Sequence, residues 1–394
     1  MSPLTRLALP ALAVLGAVYA QTPTCSRDDT FTVQNSGDAT SLGECDTYTG
    51  NVEISSDLTD DIILDGLQEL KGDFVISGNS ALQRISGNSL ETITGKLQVD
   101  NVQNLASLAF PKLTELGQLT LQGLPNLRQL EFTSQVTKCP KIDIQNTDLQ
   151  DLNGINVDKA ESIFIANNKG IGNITMDVTN VTDFLTLSFN NEEVDVSFPK
   201  LLQSKNATFR ACGSISLPAL SKIAPGSLGV YDSKLESLAC PNLTSIAQDL
   251  TLNTNSALAN ISFPELTKVG ASLQIANNTQ LHKIDGFPKL AEVGAALDMS
   301  GDLTEVSTPS IDFVKGVFNL QSTNDLGNTC DFYDKKKSDL GPSSKYVCKG
   351  KLDEARTAGG GTSGSSENKT GAAFPLHVQP TYLGLAGLAA VLLV

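Results

Sequence analysis

The chain has 394 residues, 43 Asp and Glu against 28 Lys and Arg, and a net charge of −15. Such an acidic surface repels polyanions, which excludes nucleic acid and anionic surfaces as partners held by charge. Two histidines, seven cysteines and no tryptophan narrow the available chemistry further.

The first stretch, MSPLTRLALPALAVLGAVYA, has one basic residue, Arg6, and then an apolar run from Leu7 to Val18. Val18 and Ala20 are small residues placed for cleavage before Gln21. The run is too short to span a bilayer, so residues 1–20 read as a secretory signal peptide. Its loss takes the basic count from 28 to 27 against 43 acids, a net of −16. The mature chain therefore meets an oxidising compartment, in which disulfides persist. Cys25 and Cys45 lie before the repeats, in a stretch, 21–51, that reads as an N-terminal cap closed by a disulfide.

Residues 52–329 repeat. LTLNTNSALANISFPELTKVG (250–270) aligns with LQIANNTQLHKIDGFPKLAEVG (273–294). Each unit opens with two apolar residues at alternate positions, Leu250 and Leu252 or Leu273 and Ile275. A second apolar series comes next, with Pro directly after Phe and a closing Gly. Units start near Val52, Phe74, Leu97, Leu119, Ile142, Ile163, Leu185, Ala207, Leu228, Leu250, Leu273, Leu297 and Phe318, in steps of 20 to 24 residues. A period of this size signals a solenoid, here of about thirteen coils. Residues at i and i+2 of a strand share a face, so each coil predicts a short strand of a parallel sheet with its apolar face buried by its neighbours. Thirteen strands about 4.8 Å apart make a rod of about 60 Å.

The repeat carries three further expectations. The Asn five residues after each start (Asn79, Asn168, Asn190, Asn255, Asn278) tracks the apolar period, which predicts an internal hydrogen-bonded ladder rather than a ligand site. Pro after Phe belongs at a bend, since it cannot donate to a ladder. The closing Gly117, Gly270 and Gly294 are expected at a turn that needs positive φ. The outward residues between the apolar ones, such as Gln98, Thr120, Thr251 and Gln274, predict a flat polar face.

After the repeats, Cys330 and Cys348 define a second cap, 330–352, with its own disulfide; the KKK run at 335–337 reads as a solvated loop. Cys139, Cys212 and Cys240 leave an odd count, so at most one more pair is possible and at least one thiol is buried and inert. Residues 353–371 are rich in Gly, Ser and Thr and read as a flexible stalk. The chain ends LGLAGLAAVLLV, an apolar run with no basic residue after it. Small residues, a spacer and an apolar tail predict a GPI signal, with attachment at Gly371 (Asn368 and Ser366 being alternatives) and removal of 372–394. Six N-glycosylation acceptors fall on the repeats, at Asn173, Asn180, Asn206, Asn242, Asn260 and Asn277, and Asn368 is a seventh on the stalk. IANN occurs at 165–168 and 275–278, but only Asn277 has Thr two residues on.

The motifs FPKLTELG (110–117), CPNLTSIA (240–247), FPELTKVG (263–270) and FPKLAEVG (287–294) look like receptor L-domain leucine-rich repeats. The order of signal peptide, Cys-flanked repeats, stalk and GPI tail resembles the fungal extracellular-mutant (ECM) family of GPI-anchored cell-wall organisation proteins over essentially the entire chain. That resemblance implies a mainly β leucine-rich solenoid acting in wall integrity and morphogenesis, with no catalytic residues to carry over. It implies a cell-surface place on the outer leaflet or transferred to the wall, with wall glycans or wall proteins as partners. In CPNL, Cys240 takes the place of Phe, which makes it a core residue.

Catalytic alternatives have little to work with. His377 lies in the segment expected to be removed, so a nucleophilic triad could use only His282, at an outward position. No C-x-x-C or H-E-x-x-H motif suggests a metal, and no cofactor motif is present. Carboxylate chemistry on wall glycans could use Asp60 and Asp61 or Glu192 and Glu193. A receptor-like module that binds a soluble ligand is the other alternative.

Overall fold

The computed structural model describes residues 24–342 and 345–358. The expected signal peptide, Asn368, Ser366, Gly371 and the C-terminal apolar run lie outside the described residues. The fold is a thirteen-turn parallel β-solenoid with two short helices, Ser36–Gly43 and Thr329–Asp334. Every expected unit start stands in one inward column of the main sheet: Val52 pairs with Phe74, Phe74 with Leu97, and so on to Leu297 with Phe318. The column extends past both ends, to Phe31 before Val52 and to Tyr346 after Phe318. The ends of the rod are thus covered by strands from the cysteine-bearing segments. The disulfides Cys25–Cys45 and Cys330–Cys348 hold those segments, each with 5.7 Å between Cα atoms.

Each coil has three walls. The main strand, such as Leu250–Asn253, leads to a second wall, such as Asn260–Ser262, and then to a third, such as Lys268–Val269. Leu250 and Leu252, Ile261 and Phe263, and Leu266 and Val269 all point inward and are buried. The Phe of the F-P motif fills the corner between the second and third walls, where Phe263 and Phe287 stack at 5.1 Å. Pro111, Pro199, Pro264 and Pro288 all lie in the turn directly after it, as their missing N–H requires. Lys–acid pairs such as Lys138–Glu115, Lys268–Glu292 and Lys289–Glu265 join neighbouring coils along the outside.

The corner after the main strand explains the Asn pattern. In the eleven coils from Phe74 to Leu297 the residue four after the start has positive φ, as at Asn101 (53°), Asn146 (54°), Asn167 (58°) and Asn277 (57°), with Gly78 and Gly123 at the same place. The next residue turns back into the core. Asn168, Asn255 and Asn278 are buried there, and they bond from coil to coil. The Asn278 Oδ1 accepts from the Asn255 backbone N–H (2.9 Å) and Nδ2 (3.1 Å), while its own Nδ2 donates to the Leu252 carbonyl (2.9 Å). Asn190 and Asn168 repeat the arrangement. Where the inner residue is Thr147, Cys212 or Ser233, its N–H still finds an acceptor in the next coil.

The closing glycines correct one expectation. Gly117, Gly270 and Gly294 do not have positive φ. Their role is close approach: a Cβ on Gly270 would fall 2.0 Å from the Ala247 carbonyl oxygen, and one on Gly294 2.0 Å from that of Gly270. Stacked backbones leave no room for a side chain at this corner. Cys139, Cys212 and Cys240 are all free and buried, and burial pushes each thiol up to about 12, so none is a reactive thiolate. Cys240 occupies the Phe position of its coil and is fully covered.

Candidate functional site

The outer face of the main sheet is where side chains are free to do something other than pack. Over much of its length it is the polar face that alternation implies, with Gln98, Thr120, Thr251 and Gln274 half-buried along one column. Between the coils that start at Ile163 and Leu228 it changes character. Phe164 and Phe184 take outward strand positions, and Phe189 stands at a corner with 53% of its surface exposed. Tyr231 lies across the sheet: a Cβ on Gly229 would meet its ring at 2.4 Å, so only glycine lets the ring settle there. The Tyr231 hydroxyl hydrogen-bonds Thr251, and burial moves its ionisation above the usual tyrosine range.

Arg210 ties the patch together. Its guanidinium carbon lies 4.8 Å from the Tyr231 ring centre and 5.7 Å from that of Phe189. Asp232 pairs with the same guanidinium, so the cluster carries no net charge. None of Phe164, Phe184, Phe189, Arg210 or Tyr231 stands out in the inward repeat. An aromatic residue at an outward strand position, as in Ile163-Phe164-Ile165, is the one signal in the sequence that could find them.

At the C-terminal end the same face is covered. Residues 351–358, of which 353–358 read as stalk by composition, lie back across the last coils. Ala358 donates its N–H to Asp298 (3.1 Å), Asn319 donates to the Arg356 carbonyl (2.9 Å), and Arg356 donates its N–H to Gln321 (3.2 Å). Burial raises the Asp298 carboxyl above the usual range, offset in part by bonds from Asn319, Gln274 and Ala358.

The carboxylates considered for glycan hydrolysis are dispersed on the surface. Asp60 and Asp61 are exposed in a loop. Glu192 bonds Lys234 at 2.6 Å, and that hydrogen bond and charge hold its carboxyl below the usual range, the reverse of what a general acid needs. His282 is exposed and its Nδ1 lies 2.9 Å from the Asp302 carbonyl. No group of His, Cys, Asp or Glu that could hold a metal occurs among the described residues.

Of the glycosylation acceptors, Asn173 and Asn260 stand ten residues after their unit starts, exposed on second-wall strands. The Thr175 hydroxyl donates to Asn173 Oδ1 at 2.6 Å. Asn242 and Asn277 are exposed at turns, and Asn180 is half-buried. Asn206 differs: its Oδ1 accepts the Ser227 N–H (3.1 Å), and its side chain fills the space over Gly226.

A family model described as Ecm33, GPI-anchored cell wall organization protein, matches residues 4–43. "Protein ecm33" of Aspergillus fumigatus is 34% identical over 87% of this chain and 85% of its own length. The chain belongs to the Ecm33 family. A "cell surface GPI-anchored protein" of Arthroderma benhamiae is 34% identical over 96% of this chain and 95% of its own. Sporulation-specific protein 2 of Saccharomyces cerevisiae is 32% identical over 78% of this chain and 61% of its own length. No solved structure matches this Ecm33-family solenoid.

Proposed function

We propose that this chain is a non-catalytic, GPI-anchored glycoprotein of the fungal cell surface that organises the wall. The observation that carries the reading is the near full-length similarity to a cell surface GPI-anchored protein, 34% identical with 96% of this chain aligned. Other relatives are named as a cell wall protein, in Schizosaccharomyces pombe, and a cell wall mannoprotein, in Saccharomyces cerevisiae. The rod suits such a role: it is stiff, stitched from coil to coil, and offers one long outer face. Attachment at Gly371 and glycans on Asn173, Asn242, Asn260 and Asn277 belong to this reading, with Asn206 the least available acceptor. The scattered, exposed acids favour surface solvation over turnover.

A strain lacking the gene tests it. Hypersensitivity to wall-perturbing dyes, restored by the full-length gene, is the expected result. Wild-type wall composition and growth would overturn the reading. Separately, cleavage of wall glucan by the purified protein, lost in Glu192→Gln, would overturn the non-catalytic part.

A further inference from the structure

We propose that the patch around Phe189, Arg210, Tyr231 and Asp232 is a docking face for a neutral β-linked glucan chain. This rests on the surface and wall role proposed above and names what the solenoid holds there. Three observations converge. First, Phe189 is a ring left 53% exposed on a water-facing surface, at a corner where φ is 51°. The same left-handed corner holds Ala211, Asp232 and Thr254 in the next three coils, so it is the exposed ring and not the backbone that sets Phe189 apart.

Second, the Arg210–Asp232 pair is charge-compensated and set beside that ring. Together they offer an apolar face for ring C–H groups and both donors and acceptors for hydroxyls. The cation of the cluster, Arg210, is already paired with Asp232, and an anionic polymer would face a chain of net charge −15. Third, the surface is flat. Tyr231 lies on Gly229, whose own neighbours across the strands are Thr208 and Thr251. The coils from Phe164 to Tyr231 give a track of about 15 Å, three strand spacings. A flat track suits a chain whose ring substituents are all equatorial, which is the geometry of β-linked glucose.

The test is affinity electrophoresis of the full-length glycoprotein in detergent, through native gels containing soluble β-glucan, mannan or polygalacturonate. β-Glucan should retard the wild type. Phe189→Asn should weaken that retardation by about tenfold, as loss of one central aromatic contact does, while leaving the fold intact because Asn already serves at other corners. Arg210→Ala should weaken it too, and Phe313→Asn, at a separate exposed phenylalanine, should not. The proposal fails if β-glucan does not retard the wild type, or if Phe189→Asn and Arg210→Ala migrate like wild type. It also fails if mannan or polygalacturonate retards equally or better, or if binding appears only in Asn206→Gln, which would make the protein's own glycan the occupant. A Phe189→Asn gene that restores the deletion strain fully, with glucan binding absent in wild type, would sink this inference and leave the wall role standing. A deletion strain with a normal wall would sink the wall role alone.

Discussion

The corners at Asn277 and Phe189 have nearly the same backbone and opposite side chains. Their φ values are 57° and 51°, and each is followed by a buried Asn, 278 or 190, that bonds to the preceding coils. Asn tolerates the left-handed region because its short polar side chain hydrogen-bonds locally; Phe crowds its Cβ against the next carbonyl at a cost of about 1–2 kcal/mol. The inner half of the corner is therefore set by the fold, and it is alike in both. The outer half is free, and in the coil that starts at Leu185 it holds a residue that the local rule disfavours. Ala211 and Thr254 also fill this corner without the Asn preference; what distinguishes Phe189 is a large exposed ring set beside Arg210.

The largest effect in this comparison belongs to the inner residue. Asn278→Ala removes the acceptor for the Asn255 N–H and Nδ2 and the donor to Leu252, in a position closed to water. It should destabilise the chain by about 2–4 kcal/mol, and Asn190→Ala by a similar amount. Urea unfolding measures it, and hydrogen exchange should rise first in the adjoining coils, because a solenoid is held by nearest neighbours. A loss no larger than that of an exposed Asn would mean the ladder is not what fixes the corner.

The outer residue should respond with the other sign. Phe189→Asn should raise stability by about 1 kcal/mol, by relieving the left-handed strain. Thermal unfolding reads it directly. A fall in stability would show that Phe189 packs more than its exposure suggests, and the contrast between the two corners would lose its meaning.

The covered end of the same face gives a pH-dependent counterpart. Burial raises the Asp298 carboxyl in the folded chain, with the hydrogen bonds from Asn319, Gln274 and Ala358 opposing it in part. A folded value above the unfolded one means that the stability Asp298 contributes is fully present below the ordinary carboxylate range. It is lost as pH rises through the raised value. The melting temperature of wild type relative to Asp298→Asn should therefore increase as pH falls from neutral into the carboxylate range. A difference that stays flat with pH would place the carboxyl in water and detach residues 351–358 from the sheet.

Legibility in the sequence tracks burial. All thirteen unit starts stand in the expected column because Leu, Ile, Val and Phe at alternate positions can only face inward, and a slip of one residue would expose them. The Asn ladder is legible because it keeps the same period. The closing glycines keep the period too, but period says nothing about mechanism. Gly270 and Gly294 give room to a stacked carbonyl, whereas positive φ is met by Asn167 and Asn277 across the coil. The aromatic patch is hidden for the opposite reason. Outward positions carry no packing constraint, so the outward aromatics Phe164 and Tyr231 leave the inward period intact and are a faint signal at most, and only three-dimensional register brings Phe189, Arg210 and Tyr231 together from three coils.

The smallest effect sharpens the comparison from the side of Asn277. The two IANN corners, 165–168 and 275–278, differ in their next residues: Thr279 completes an acceptor in one, and Lys169 and Gly170 do not in the other. Asn277 is exposed, and its amide reaches only Asn253 (3.1 Å), also on the outside. Thr279 is exposed, and its hydroxyl bonds the Ser256 carbonyl at 3.2 Å. Thr279→Ala deletes the acceptor without touching the left-handed residue, which Asn277→Gln would disturb. It should remove one glycan, seen as a mobility step that enzymatic deglycosylation abolishes, and change stability by less than about 0.5 kcal/mol. An unchanged mobility would mean that Asn277 carries no sugar and that its Asn is kept for the corner alone. A large loss of stability would mean that the glycan, rather than the ladder beneath it, braces this part of the rod.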